Sequence, residues 1–319
     1  MENFWQKLKK PIFALAPMAD VTDIAFREII TEYGKPDVLW TEFVSADGLV
    51  SDKGREHLMI DLAYTEVERP IVAQLFTSKP ENMRKAAEIV RDLGFDGLDI
   101  NMGCPDRTIE KQGAGAALMK NPKLAQEIIY AAKEGAGSMP ISVKTRLGYN
   151  KDVLEEWLPA ILEAKPAAIT VHARTRKEMS KVPARWERVA DAVKIAKGSG
   201  VLILGNGDVT DLADAEKKVK ESGADGAMLG RAIFGNPWLF SPQSLFQCSQ
   251  EQKLKVMIEH TKLFEKLLGG KKNFAIMKKH YKAYSSGFDG AKELRMKLME
   301  AENAAEVEGI VKRFLSDRV

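Results

Sequence analysis

Eight short apolar runs of strand length recur along the first three quarters of the chain, at Ile12–Ala16, Val38–Thr41, Ile71–Leu75, Gly97–Ile100, Ile141–Thr145, Ala168–His172, Val201–Gly205 and Ala227–Gly230. Their starts lie 26, 33, 26, 44, 27, 33 and 26 residues apart. Between them run stretches with helical periodicity, such as Lys123–Lys133 and Pro80–Leu93, where Ala86, Ala87, Val90 and Leu93 share one face. Pro80, Asn121-Pro122 and Thr210-Asp211 supply the first-turn proline or capping side chain with which helices start. Strand and helix alternating at this interval predict parallel strands joined by right-handed crossovers. Eight such units within about 230 residues are the complement of an α/β fold of the (β/α)8 TIM-barrel type. A doubly wound sheet stays open as the alternative, because periodicity carries no information on closure.

From Ser241 the texture changes. No further strand pattern follows, and Gln250–Leu268, Asn273–Ser285 and Asn303–Leu315 read as amphipathic helices interrupted by Gly269-Gly270 and Gly287. The expected organisation is a catalytic barrel over residues 1–240 and a small C-terminal all-helical domain over 241–319. A chain of 319 residues that is 45% hydrophobic and 29% charged has the apolar content for such a core, which excludes wholesale disorder. Two cysteines, Cys104 and Cys248, cannot build a disulfide framework and fit a reducing, cytoplasmic setting. No apolar run nears the ~20 residues of a membrane span. Lys7, Lys9 and Lys10 ahead of Ile12–Ala16 imitate a secretion signal, but the apolar stretch is shorter than the ~7–15 residues a signal needs.

The formal net charge of +3 conceals an asymmetry. Residues 250–319 hold 15 basic and 10 acidic side chains, a net +5, which leaves −2 for the rest. Within Lys262–Lys282 stand seven lysines, one glutamate and His280. A basic face of this kind suits a polyanion with salt-sensitive phosphate contacts. On composition alone, a solvated helix face is the simpler account.

In a barrel the chemistry sits where strands run into their following loops. Polar residues recur at those ends. They are Pro17-Met18-Ala19-Asp20 after the first run, Gln74 in the third, Asn101-Met102-Gly103-Cys104-Pro105 after the fourth and Lys144 in the fifth. His172 ends the sixth, Asn206-Gly207-Asp208 follows the seventh and Gly230-Arg231 the eighth. Loops after strands seven and eight commonly bind phosphate. Gly207 and Gly230 would let backbone N–H groups approach phosphate oxygens, and Arg231 adds a forked cationic donor, so a phosphorylated ligand is expected at the barrel mouth. Cys104, in a loop between glycine and proline, is poorly placed for packing; a thiol of ordinary pKa, about 8.5, is protonated at neutral pH and can give up a proton. Gly113-x-Gly115 lacks the third glycine of a dinucleotide fingerprint and is not read as one.

Together these motifs resemble those of the dihydrouridine synthases. The resemblance runs from about residue 11 to the C-terminus and rests on Ala16-Pro17-Met18-Ala19-Asp20-Val21-Thr22-Asp23, Asn101-Met102-Gly103-Cys104-Pro105 and His172-Ala173-Arg174-Thr175-Arg176. Asn206-Gly207-Asp208-Val209, Gly230-Arg231-Ala232 and, in the helical part, Met277-Lys278-Lys279-His280-Tyr281 extend it. It implies FMN-dependent reduction of the C5–C6 double bond of a uridine in tRNA to 5,6-dihydrouridine, with NADPH as reductant, by a monomeric cytoplasmic enzyme that uses no metal and no membrane. It further implies FMN contacts at Pro17, Met18, Ala19, Gln74, Lys144, His172, Asn206, Gly207, Asp208, Gly230 and Arg231. Cys104 would protonate C5, and Asn101 would help to hold the uracil ring. On the RNA side it points to Arg174, Arg185, Lys271, Lys272, Lys278 and Lys279. Arg185 stands where the family usually carries aspartate, and Ala173 where it often carries glycine, both on the substrate side. Two other readings stay open: a flavin-dependent small-molecule ene or dihydroorotate-type reductase, which lacks the Asn-x-Gly-Cys-Pro element, and a non-catalytic RNA-binding protein on the same fold.

Overall fold

The eight runs are eight parallel strands: β1 Ile12–Leu15, β2 Leu39–Ser45, β3 Ile71–Phe76, β4 Gly97–Met102, β5 Ile141–Arg146, β6 Ala168–His172, β7 Leu202–Asn206 and β8 Gly226–Leu229. They are seen in a computed structural model that describes residues 3–241 and 249–317, so Cys248 lies outside the described residues. Strands β2 to β8 pair in chain order, and β8 pairs back on β1 with Ile12 opposite Gly226. Ala14 bridges to Val38, and the Asp37 N–H donates to the Phe13 carbonyl at 2.9 Å, so β1 meets β2 and the sheet closes into a barrel. Closure removes the doubly wound alternative. The β1–β8 pairing requires glycine at 226, where a Cβ would stand 2.1 Å from the Ile12 carbonyl oxygen.

Side chains alternate along a strand, so every second residue faces the barrel axis. Toward the strand N-termini this inner face is apolar: Ile12, Ala14, Val38, Val72, Ala168 and Leu204 cluster with Trp5 and Trp40. Trp5 comes from a 3-10 turn, Phe4–Gln6, and is 3% exposed, with its ring 6.0 Å from that of Trp40. Two to four residues further on, the same face carries Gln74, Asp99, Asn101, Ser142, Lys144, His172 and Asn206. One end is plugged with hydrocarbon; the other is lined with hydrogen-bonding groups. Outside, the helix Pro80–Asp92 buries Met83, Ala86, Ala87 and Val90, the stripe its spacing predicts. It lies against Pro122–Ala136 so closely that a Cβ on Gly135 would sit 2.0 Å from the Arg84 carbonyl oxygen. Asn121 and Asp211 cap their helices as expected, accepting from Leu124 N and Asp214 N.

The contacts divide the chain into two compact units, one holding residues up to 18 and 37–230, the other 19–36 and the chain from 231 onward. This division falls after residue 230, ten residues before the expected one after 240, and it places 19–36 with the C-terminal unit. The helix Ile24–Gly34 follows β1 yet packs in the second unit, where Phe26, 1% exposed, lays its ring 5.4 Å from that of His260 and 4.9 Å from that of His280. The second unit is otherwise built from Gln250–Leu268, Met277–Tyr284, Ala291–Leu298 and Ala304–Ser316. Ser249 and Gln252 form a capping box at the start of the first of these. Asn273–Ser285 resolves into a 3-10 turn, Phe274–Ile276, leading directly into Met277–Tyr284. His280, counted with the lysines as part of a basic face, is 1% exposed and belongs to the core. Among the described residues no helix is long and apolar enough to cross a membrane.

Candidate active site

The loop after β4 is fixed from several sides. The Asn101 side-chain oxygen accepts from the backbone N–H groups of Gly103 and Cys104 at 3.2 and 2.9 Å. The Cys104 carbonyl accepts from Ala116 N at 3.0 Å, and Arg146 Nε donates to the Gly103 carbonyl at 2.8 Å. Gly115, at φ +59°, closes against the loop, since a Cβ there would stand 2.9 Å from the Cys104 carbonyl oxygen. Beyond it, Asp106 caps the helix Arg107–Lys111 through Thr108 N and Ile109 N. The thiol is half-buried, and burial pushes its pKa up, so it is protonated at neutral pH. It opens on a cavity of about 680 Å³ with apolar walls from Phe43 and Met179 and a mainly cationic lining in which Arg107, Arg176, Lys177 and Lys181 outnumber Asp106.

Below this loop lies a buried polar network. Asp99, 1% exposed, accepts from Ser142 Oγ at 2.5 Å and from Gln74 Nε2 at 2.6 Å. Gln74 Oε1 accepts from Asn101 Nδ2 at 3.0 Å. Burial raises the Asp99 pKa to about 6 against the hydrogen bonds that favour its charge. Lys144 donates to Asn206 Oδ1 at 3.3 Å, and Asn206 Nδ2 donates to the Met228 carbonyl at 2.7 Å. Burial, with Arg146 adding repulsion, lowers the Lys144 pKa to about 8, while Asp99 pulls the other way.

A second cluster joins the ends of β6 and β7. Arg174, 2% exposed, pairs with Asp208, donates to the Val182 carbonyl at 2.6 Å and lies 3.2 Å from His172 Nε2. A guanidinium has no lone pair to offer, so this contact makes Nε2 the acceptor and puts the imidazole proton on Nδ1. Gly207, at φ +121°, has no room for a side chain, as a Cβ would meet Ala184 at 2.8 Å and the His172 ring at 3.2 Å. Gly230 differs: the nearest atoms to a Cβ there are Ala16 Cβ at 3.7 Å and the Met18 sulfur at 4.0 Å, so its backbone is open to approach. Arg174 is thus committed to holding His172 and Asp208 rather than offered to RNA. Arg185 is likewise engaged, with Nη1 2.6 Å and Nη2 3.1 Å from the Glu178 carboxylate, which it holds down at a pKa of about 2.

Strand ends Gln74, Asn101, Cys104, Lys144, His172, Asn206, Gly207 and Asp208 thus converge on the barrel mouth with Pro17, Met18 and Gly230. Ala19 and Arg231, and the four lysines, belong to the second unit. There Lys271 and Lys279 are exposed, Lys272 and Lys278 half-buried, and Lys279 pairs with Asp20 at 3.0 Å.

A family model described as dihydrouridine synthase matches residues 14–317. This chain belongs to the dihydrouridine synthase family. It is 40% identical over 317 residues to a protein of Bacillus subtilis named "Probable tRNA-dihydrouridine synthase 2", spanning 98% of this chain and 97% of that one. It is 39% identical over 318 residues to a "Probable tRNA-dihydrouridine synthase" of Staphylococcus aureus, spanning 98% and 96%. Among solved structures, morphinone reductase superposes with a TM-score of 0.53 at 12% identity, covering 75% of this chain and 86% of that one, which is a likeness of fold.

In this dihydrouridine synthase several residues at the site carry no signal in the sequence analysis above. Asp99 and Ser142 sit inside apolar runs, and only their place on the inward face of strands marks them. Arg146 shares that face with Lys144, two residues on, but lies past the predicted end of its strand. It is 7% exposed, and burial lowers its pKa to about 10. Arg176 lines the Cys104 cavity and is held by Glu110, whose carboxylate takes both its Nε and Nη2.

Proposed function

We propose that this member of the dihydrouridine synthase family reduces the C5–C6 double bond of a uridine in tRNA to 5,6-dihydrouridine, with FMN as bound flavin and NADPH as reductant. The single observation that carries the reading is Cys104, a protonated thiol pinned at a strand end beside a cavity lined by four cationic side chains. The residues present fit a flavin. Lys144 is a half-buried cation whose hydrogen-bond partner among the described residues is the neutral Asn206, which suits a ring that gains negative charge on reduction. Gln74 keeps a second amide N–H beyond the one given to Asp99, and the open backbone at Gly230 suits a phosphate. On the barrel, Pro17, Met18, His172 and Asn206 complete the set that would hold FMN. The reduced cofactor supplies hydride to C6 of the pyrimidine.

Negative charge then accumulates on C5 and the O4 carbonyl of the base. Cys104 gives its proton to C5, and its raised pKa keeps that proton in place until the carbanion character develops. Lys144 and the remaining Asn101 N–H stabilise the oxygen. A uridine within folded RNA does not present its C5–C6 edge, so the base must be extruded into the cavity. Arg107, Lys177 and Lys181 would take flanking phosphates there, with Arg176 held back by Glu110, and Lys271, Lys272, Lys278 and Lys279 of the helical unit would take the tRNA backbone. The enzyme works as a monomer in the cytoplasm, where tRNA and NADPH meet.

Purified protein is expected to be yellow and to form dihydrouridine in tRNA with NADPH. Cys104→Ala should retain flavin and lose ~10²–10⁴-fold in turnover. Undiminished dihydrouridine formation by Cys104→Ala removes the proton-donor role; colourless protein that FMN cannot reconstitute removes the flavin reading.

A further inference from the structure

A carboxylate sealed into a barrel wall is costly unless its lone pairs are used, and Asp99 is 1% exposed. Both its oxygens accept, from Ser142 Oγ at 2.5 Å and Gln74 Nε2 at 2.6 Å. An ionised carboxylate can only accept, so Gln74 must turn its NH2 group toward it. The Gln74 oxygen is then left facing the Asn101 NH2, which donates to it at 3.0 Å. Asn101 in turn presents its oxygen to the N–H groups of Gly103 and Cys104, at 3.2 and 2.9 Å. Either amide reversed would keep its shape and exchange donor for acceptor. With Asn101 reversed, its NH2 would confront two N–H donors and the loop would lose both anchors.

We propose that Asp99 is a positioning residue whose charge sets the direction of a hydrogen-bond chain through Gln74 and Asn101 that holds the Cys104 loop in its working geometry. The inference rests on Cys104 as the reacting residue of this site, and it deepens that reading: the same charge orients the Gln74 amide proposed for the flavin and the Asn101 amide proposed for uracil. Charge reaches Asp99 from Lys144 on β5, while β3 and β2 face it with Gln74 and Trp40, which do not titrate. The Ser142 and Gln74 bonds favour the charged form, so losing either makes the carboxylate easier to protonate.

The test is read at the thiol. The rate of iodoacetamide labelling at Cys104, resolved from Cys248 by peptide mass spectrometry, is measured in the full-length protein. Asp99→Asn removes the charge and keeps the shape; the loosened loop should be labelled about ten-fold faster at pH 7, the scale of one charged hydrogen bond. Ser142→Ala should label about three-fold faster than the parent at pH 6 and match it by pH 8, where Asp99 is ionised in both. A purely structural loss would give the same difference at both pH values. Folded Asp99→Asn labelled at the parental rate overturns the proposal. Should Asp99→Asn fail to fold, Ser142→Ala decides, and a rate equal to the parent at pH 6 or a pH-independent difference overturns it. Dihydrouridine formation by the parent protein is assayed separately. A parent that makes none while the labelling rates move as expected defeats the proposed activity and leaves the Asp99 role standing; an active parent with unmoved labelling rates does the reverse.

Discussion

Lys144 is the residue on which acidity and catalysis meet. Its amine stands beside Asn206 on a half-buried side chain, and desolvation lowers its pKa to about 8. Below that pH it is a cation, the form that balances a developing enolate; above it the charge is gone. Turnover that depends on this charge therefore falls as pH rises through about 8, an alkaline limb that kcat/KM measured against pH would reveal. Lys144→Met should erase the limb and lower kcat by ~10²–10³-fold, the scale of one lost electrostatic contact to a transition state. Arg174 invites the opposite prediction. Its guanidinium is spent on Asp208, Val182 and His172, so Arg174→Leu should cost about 1–3 kcal/mol in urea unfolding by removing a buried charged donor shared by exposed Asp208 and half-buried His172 and Val182. Affinity for tRNA at fixed salt should change little; a large loss of affinity with stability intact would return Arg174 to the RNA.

Among elements, the β4 loop is the best worked case of what a sequence reveals. Asn101 and Cys104 announce themselves as a polar pair beside a glycine and a proline, but Gly115, eleven residues on, reads only as half of a nucleotide motif. Its purpose is steric. Gly115→Ala would force a Cβ to within 2.9 Å of both the Cys104 carbonyl oxygen and Ile109 Cγ2 at a left-handed backbone angle. We expect a loss of about 1–2 kcal/mol in thermal or urea unfolding and a displaced thiol, visible as slower dihydrouridine formation at unchanged flavin content. Strand positions were legible because apolar runs at crossover intervals permit few arrangements. Where each strand ended was not: β2 continues to Ser45 past a register shift between Trp40 and Phe43, and β5 reaches Arg146, because pairing with a neighbour rather than composition decides the last residues. The helices Ala46–Leu49, Asp52–Leu58 and Ala291–Leu298 are too short, at 4, 7 and 8 residues, to show a period. The cationic residues around the site are half legible, since charge is visible in a sequence and the partner that neutralises it is not. That is why Arg174 and Arg185 read as RNA contacts.

At the scale of the whole molecule, the helical unit carries an acid liability. His260 and His280 are fully enclosed with ring centroids 4.6 Å apart, and burial holds both neutral, His280 down at about 3. The unfolded chain takes up protons at an ordinary histidine value near 6.5 and the folded one does not. Stability is therefore complete above about pH 6.5 and falls below it, by ~1.4 kcal/mol per pH unit for each histidine, down to about pH 3. Urea midpoints at pH 7 and pH 5 would measure the slope, and His260→Phe should halve it. The basic face of the same unit is tested by neutralising Lys271, Lys272, Lys278 and Lys279 together, which should weaken tRNA binding and flatten its dependence on salt; unchanged binding would leave these lysines merely solvated.

Because Ile24–Gly34 packs on Gln250–Leu268 although it follows the first barrel strand, the two halves of that helical contact leave the ribosome far apart in time. More than 200 residues must be polymerised between them, on the order of 10–45 s at ordinary rates of synthesis. Throughout that interval Phe26, Ile29 and Ile30 have no native cover from Gln250–Leu268, and the nascent polypeptide carries a sticky segment. Any stall before residue 250 would leave that segment without its natural mate.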